Sequence, residues 1–170
     1  MMIFRVGEKV VYPNHGVATV ENISSRSFGS QFERFYLLRL MYSTMTVMVP
    51  FSHVGNVGLR PITKLQEVDR VLEYLACGDC SSNSDWKNRF KENSAKMRTG
   101  SLSDITEVFK GLVRLQADKP LSFREKKMLE KARQMLVAEV SVAKNLDEAR
   151  AVELLDRSLA ASDLRMPAAY

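Results

Sequence analysis

Between Lys9 and about residue 60, apolar residues recur at roughly every second position in short runs. A period of two is that of a half-buried β-strand, whose side chains point alternately to opposite faces. "EKVVYP" reads as a strand closed by Pro13, and "NHG" as the turn that follows it. "VATVENISSRSF" is the next strand, and Gly29-Ser30 is a two-residue hairpin loop with glycine at its first position. "QFERFYLLRLMY" returns, Ser43 and Thr44 turn the chain again, and "MTVMVPF" closes the series. Short β-branched and aromatic runs joined by tight turns predict a small Tudor-like or SH3-like barrel or a strongly bent sheet. About sixty residues suffices for such a module.

Near residue 65 the period lengthens. "LQEVDRVLEYLAC" sets Leu65, Val68, Leu72 and Leu75 at helical spacing. "CGDCSSNS" is a small-residue linker, with Ser84 the expected N-cap of a helix that starts near Trp86 and stops at Gly100. "SLSDITEVFKGLVRLQ" carries Ile105, Val108, Phe109, Leu112 and Leu115 on one face, and "ADKP" ends it. "SFRE" is a capping box, in which Ser122 bonds the Glu125 backbone and Glu125 reaches back. The helix it opens buries Met128, Leu129, Ala132, Met135 and Leu136. A last helix begins near Asp147, with Ala151, Leu154 and Leu155 inward. The fold class is therefore α+β: a β module over residues 1–65, an all-α module over 66–162, and a loose tail from 163 to 170.

Composition leaves that division intact and adds a charge pattern. A 45% apolar and 26% charged chain folds as a globular protein. It has no apolar run long enough to span a bilayer. Its first residues lack the apolar core and cleavage site of a secretory leader, so the cytosol is the expected compartment. The net charge of +5 is uneven. Residues 1–65 hold seven lysines and arginines against three acids, and residues 84–135 hold thirteen against seven. Residues 66–83 between them hold one against four. A basic block either attracts a polyanion or is a solvated face. Cys77 and Cys80 stand in "CGDC" with no second pair and no nearby histidine, so ordinary reduced thiols are expected there. No metal site, cofactor, nucleotide loop or catalytic constellation stands out, and a non-enzyme is expected.

Three stretches could carry function. Trp86, the only tryptophan, opens a polar helix beside Lys87, Arg89 and Lys91. An indole there packs on the bundle or stacks on a base while the cations neutralise phosphate. In the helix from residue 123, Arg124, Lys127, Lys131 and Gln134 share one face, flanked by Lys126 and Arg133. Phe123 at its first position repeats the pairing of an aromatic with cations. In "MTVMVP", Val47 and Val49 face one way and Met48 and Pro50 the other. Pro50 suits an edge strand, open to strand addition or covered by a loop.

Four stretches together identify a family. "VGEKVVYPNHGVATVENI", "TVMVP" followed by "VGLRP", "DWKNRFKENSAKMRTG" and "LSFREKKMLEKARQMLVAEVSVA" closely resemble the bacterial CarD/CdnL family, from about Phe4 to Leu159. The N-terminal part also resembles the polymerase-interacting domain of transcription-repair coupling factors, without their helicase portion. The resemblance implies a Tudor-like domain docking on the β subunit of RNA polymerase in a holoenzyme with its housekeeping sigma factor. It implies a helical domain at the upstream edge of the transcription bubble, where the tryptophan of the "DW" motif wedges into the minor groove. Trp86 matches that residue, and Arg89, Lys91 and Lys126 match basic positions. Lys87, Phe123, Arg124 and Lys127 join them on the surface argument above. Arg26 and the strand Val47, Met48, Val49 and Pro50 match the polymerase contact. Some members carry a basic residue where Met48 stands, so apolar and backbone contacts are expected to do more here. A monomer at the nucleoid is expected, with weak, largely sequence-independent DNA binding and no membrane partner. A docking adaptor for polymerase or ribosome, without DNA wedging, is the alternative.

Overall fold

The computed structural model describes residues 3–77 and 85–169. The chain divides into two compact units, Met1–Ile62 and Thr63–Tyr170.

The first unit is a five-stranded antiparallel sheet of β1 (Lys9–Tyr12), β2 (Gly16–Phe28), β3 (Gln31–Leu40), β4 (Thr46–Pro50) and β5 (Arg60–Pro61). Their spatial order is β4-β3-β2-β1-β5. A 3-10 turn at Phe51–His53 and the single-turn helix α1 (Val54–Val57) link β4 to β5. The Gly29-Ser30 loop closes Phe28 onto Gln31, and Gly29 takes φ +62°, a value costly for any residue with a Cβ. The register of β2 against β3 shifts between Val20 and Asn22, which bends the ribbon. On one side of the bulge, Val17, Ala18 and Val20 are buried. On the other, the ribbon runs outward and ends in exposed Phe28 and Phe32. Phe4, Val10, Tyr36, Leu38, Val49, Val54 and Leu59 complete the core. The Phe4 amide donates to the Tyr36 hydroxyl at 3.0 Å, and Tyr36 stacks on Phe51 at 4.2 Å.

The second unit is α2 (Leu65–Cys77), α3 (Trp86–Thr99), α4 (Leu102–Asp118), α5 (Phe123–Lys144) and α6 (Glu148–Ala160). Its entry is anchored before α2, because the Thr63 amide donates to the buried Glu139 carboxylate at 2.9 Å and the Thr63 hydroxyl bonds the same oxygen. Helix ends follow local chemistry. Ser101, Ser122 and Asp147 are N-caps, and Gly100 ends α3 in the left-handed region at φ +75°. The cap of α3 is Asp85, which accepts from the Lys87 amide at 3.2 Å. Ser84, the expected cap, lies outside the described residues, as does Cys80. Cys77 is exposed, and its thiol donates to the Glu73 carbonyl.

Val68, Val71, Leu75, Met97, Ile105, Phe109, Leu112, Leu129, Leu136 and Leu155 form the core of this unit. Leu65, expected inward, is exposed at the first position of α2. The last carbonyls of α2 have no intrahelical donors, and side chains from other elements satisfy them. The Lys110 ammonium, fully buried, donates to Tyr74 O at 2.7 Å. The Ser162 hydroxyl reaches Leu75 O and Ala76 O.

The tail corrects the expectation of a loose end. After α6, Ser162 and Leu164 both donate back to Leu159 O, with Asp163 left-handed at φ +57°. That turn drives Leu164 into the core at 7% exposure. Arg133, expected on the surface, is buried and donates to Pro167 O at 3.0 Å. Met166 packs against the core, and its amide donates to Asp156. Leu164→Ala is expected to destabilise the helical unit by about 2–4 kcal/mol, the cost of a buried leucine truncation. A thermal or urea melt checks it, and a melt unchanged from wild type returns the tail to a loose end.

Candidate functional site

Two helix N-termini make the candidate nucleic-acid surface. Trp86 is the first residue of α3, directly after its Asp85 cap. Its indole is 48% exposed in a unit whose other large apolar residues are mostly inside. Phe123 is the first residue of α5, after its Ser122 cap, and is 74% exposed. A first-turn side chain has no preceding turn to fold onto, so each ring stands clear of its helix.

The two first turns are joined by a buried ion pair. Arg89 lies one turn beyond Trp86, and Glu125 two residues beyond Phe123. The guanidinium holds the carboxylate with two parallel bonds, Nε to Oε2 at 2.8 Å and Nη2 to Oε1 at 3.1 Å. Arg89 is 6% exposed. The Ser122 hydroxyl adds a bond to Oε1 at 3.3 Å and accepts from the Glu125 amide at 3.2 Å. The hydrogen bonds from Arg89 hold the Glu125 carboxyl below its ordinary range and raise the guanidinium above its own. Glu125 thus reaches back to the Ser122 side chain and spends its charge on Arg89.

Arg89 is therefore a correction to the expected set of phosphate contacts. It faces inward and braces α3 against α5. Lys87, Lys91, Arg124, Lys126 and Lys127 are exposed. Arg124 lies over the Phe90 ring at 5.7 Å and Lys127 over the Phe123 ring at 5.6 Å. Lys127 also approaches Glu130 at 3.9 Å. Lys131, further along the stripe, is half-buried, and desolvation pushes its ammonium pKa down. A cavity of about 230 Å³ opens beside α5, and its described lining is Phe123, Lys126, Lys127 and Glu130.

The sheet unit carries the second candidate surface. Among the described residues β4 pairs only with β3, so no strand is paired to its other edge. Val49 is buried and Val47 packs against the core, while Met48 is 39% exposed and Pro50 is partly exposed. The alternation expected for "MTVMVP" is present. Arg26 is exposed on the outer ribbon directly across from Glu33. Exposed Phe28 lies two residues along that ribbon and meets Phe35 edge-on at 6.4 Å. Alternation in β2 is the only sequence signal for Phe28, and it does not tell an outward aromatic from an inward one.

Comparison with known proteins decides the family. The model described as CarD-like/TRCF RID domain matches residues 4–63, and that described as CarD, C-terminal domain matches residues 70–156. The chain belongs to the CarD family. It is 33% identical over 146 residues to "Putative transcription factor YdeB" of Bacillus subtilis (strain 168), across 86% of this chain and 95% of that protein. Membership makes it a transcription factor of a type associated with RNA polymerase.

In this CarD-family chain the polymerase-interacting match ends at residue 63 and the helical match begins at residue 70. Trp86, Phe123 and their bracing pair all lie in the second match, and Arg26 and β4 in the first. Among the described residues no helix is long and apolar enough to cross a membrane.

Proposed function

We propose that this protein docks through the β4 edge, with Arg26, Val47, Met48, Val49 and Pro50, on the β subunit of RNA polymerase. Its helical unit then holds the upstream fork of the promoter bubble with Trp86, and Lys87, Lys91, Arg124, Lys126 and Lys127 meet the flanking phosphates. The observation that carries this reading is the half-exposed indole mounted on a buried, charge-paired base. An exposed ring on a flexible loop would lose its stacking energy to ordering, whereas this one is placed in advance. The action is stabilisation of an existing intermediate, without ATP and without sequence readout, because among the described residues no helix presents a set of base-reading side chains.

Free DNA affinity is low in this scheme, with a log–log salt slope of roughly −0.9 for each phosphate neutralised. Docking on polymerase raises the local concentration of the helical unit at the fork. The test is the lifetime of the open complex on a ribosomal-RNA promoter, challenged with competitor, with and without the protein and its Trp86→Ala form. Wild type lengthening the lifetime and Trp86→Ala failing to do so is the expected result. An unchanged lifetime with polymerase binding intact would leave a docking adaptor alone.

The edge strand yields its own prediction. Met48→Asp sets a carboxylate on an apolar contact and is expected to weaken polymerase capture about tenfold, or about 1.4 kcal/mol. The melt of the sheet unit should not move, because Met48 points outward. Wild-type capture should fall little as salt rises, and a steep fall would mean that Arg26 and other charges dominate the interface.

A further inference from the structure

We propose that the cavity beside Phe123 takes an unpaired nucleobase, making α5 a single-strand subsite separate from the Trp86 wedge. The proposal rests on the DNA-binding reading of the helical unit and names the ligand of one part of it.

Four observations carry it. Among the described residues Phe123 is the most exposed large apolar residue of its unit, so its ring is open to a partner. Lys127 lies over the ring at 5.6 Å, a cation–π arrangement that sets a positive charge beside the aromatic face. The cavity of about 230 Å³ falls below the roughly 300–1,000 Å³ of sites that enclose drug-sized ligands, which suits a single ring system. Its charge is also complementary to a nucleic-acid backbone. Lys126 and Lys127 line it, and Glu130, 3.9 Å from Lys127, disfavours phosphate on the far side. A strand whose phosphate passes Lys126 would lay its base on Phe123.

A base inside a duplex cannot reach such a site without leaving its stack, at a cost of a few kcal/mol. A base in an open bubble has already left it. The subsite should therefore discriminate between single and double strands, which a row of surface lysines does not.

The experiment uses the full-length protein and a labelled short oligothymidylate, with the matching duplex and an abasic strand of equal length, at low salt. Wild type is expected to bind the oligothymidylate more tightly than either of the others. Phe123→Ala should lose roughly tenfold on the oligothymidylate and little on the duplex, and Phe123→Tyr should restore most of the loss. The melt of Phe123→Ala should match wild type because the ring is exposed.

Three results would overturn the subsite: equal losses on single strand and duplex, no loss on either, or a loss of polymerase capture with DNA binding untouched. The last would make the cavity a protein contact. Failure of the wedge itself reads out separately, in the open-complex lifetime with Trp86→Ala. The oligothymidylate panel can therefore succeed or fail whatever that lifetime shows.

Discussion

Replacing Arg89 with alanine is expected to destabilise the helical unit by about 3–5 kcal/mol, the cost of leaving a buried charge without its partner. Glu125→Gln should cost a similar amount, because it strands the guanidinium inside. The double change Arg89→Met with Glu125→Leu removes both charges and keeps apolar volume, so it should cost less than either single change. This ordering separates a matched pair from simple burial: two losses that merely add would mean that the groups act independently. Acid provides a second check. The folded-state pKa of Glu125 lies below its unfolded value, so its contribution is present at neutral pH and above the ordinary glutamate range near 4.3. It is lost as pH falls through the depressed folded value. Wild type should lose stability in that acid window, and the double variant should lose less, measured by urea melts across pH.

The ion pair also bears on function. It joins the first turns from which Trp86 and Phe123 project. If the double variant stays folded yet shortens the open-complex lifetime, the pair positions the surface as well as stabilising it. A double variant with wild-type activity would confine Arg89 and Glu125 to stability.

Trp86→Ala is expected to act in the opposite sense, with little change in folding and a large change in function. A half-exposed first-turn side chain lies outside the core, so the melt should move by no more than about 0.5–1 kcal/mol. Stacking on a base contributes about 1–3 kcal/mol, so the open-complex lifetime should shorten roughly five- to hundredfold. Trp86→Phe should fall between. The indole is uncharged, so the factor by which the lifetime shortens should stay nearly constant with salt. Neutral substitutions at Lys87, Lys91 or Lys126 should instead flatten the salt dependence by roughly 0.9 for each phosphate left without its cation. A Trp86→Ala protein that unfolds would place the ring in the core. One whose defect vanishes at higher salt would make the site electrostatic.

The contrast between Trp86 and Arg89 shows what can be read from a sequence. Both sit among cations in "DWKNRFKEN", and the local pattern sends both toward DNA. The exposure of Trp86 follows from chain position: it is the first residue after a cap, where no earlier turn of the same helix can cover it. The fate of Arg89 depends on Glu125, 36 residues away, and on α5 lying against α3. Nothing within one turn of Arg89 distinguishes it from Lys91, which is exposed. Arg133 and the tail repeat the case, because burial there depends on Pro167 O returning to α5.

By itself the sequence determined the features that depend on neighbours in the chain. These are the change of period near residue 65, the hairpin at Gly29-Ser30, the stop at Gly100, the cap at Ser122, the start of the last helix near Asp147, and the placing of an aromatic ring at two helix starts. Local sterics and hydrogen bonds act over four or five residues, so a short window contains their causes. Tertiary structure alone decided which cations are buried, how the C-terminal end of α2 is satisfied by Lys110 and Ser162, and that Leu164 and Met166 of the tail pack. A lone arginine or lysine is costly to bury. Each becomes favourable only when a carboxylate or carbonyl from another element arrives at bonding distance, and no local pattern announces that arrival.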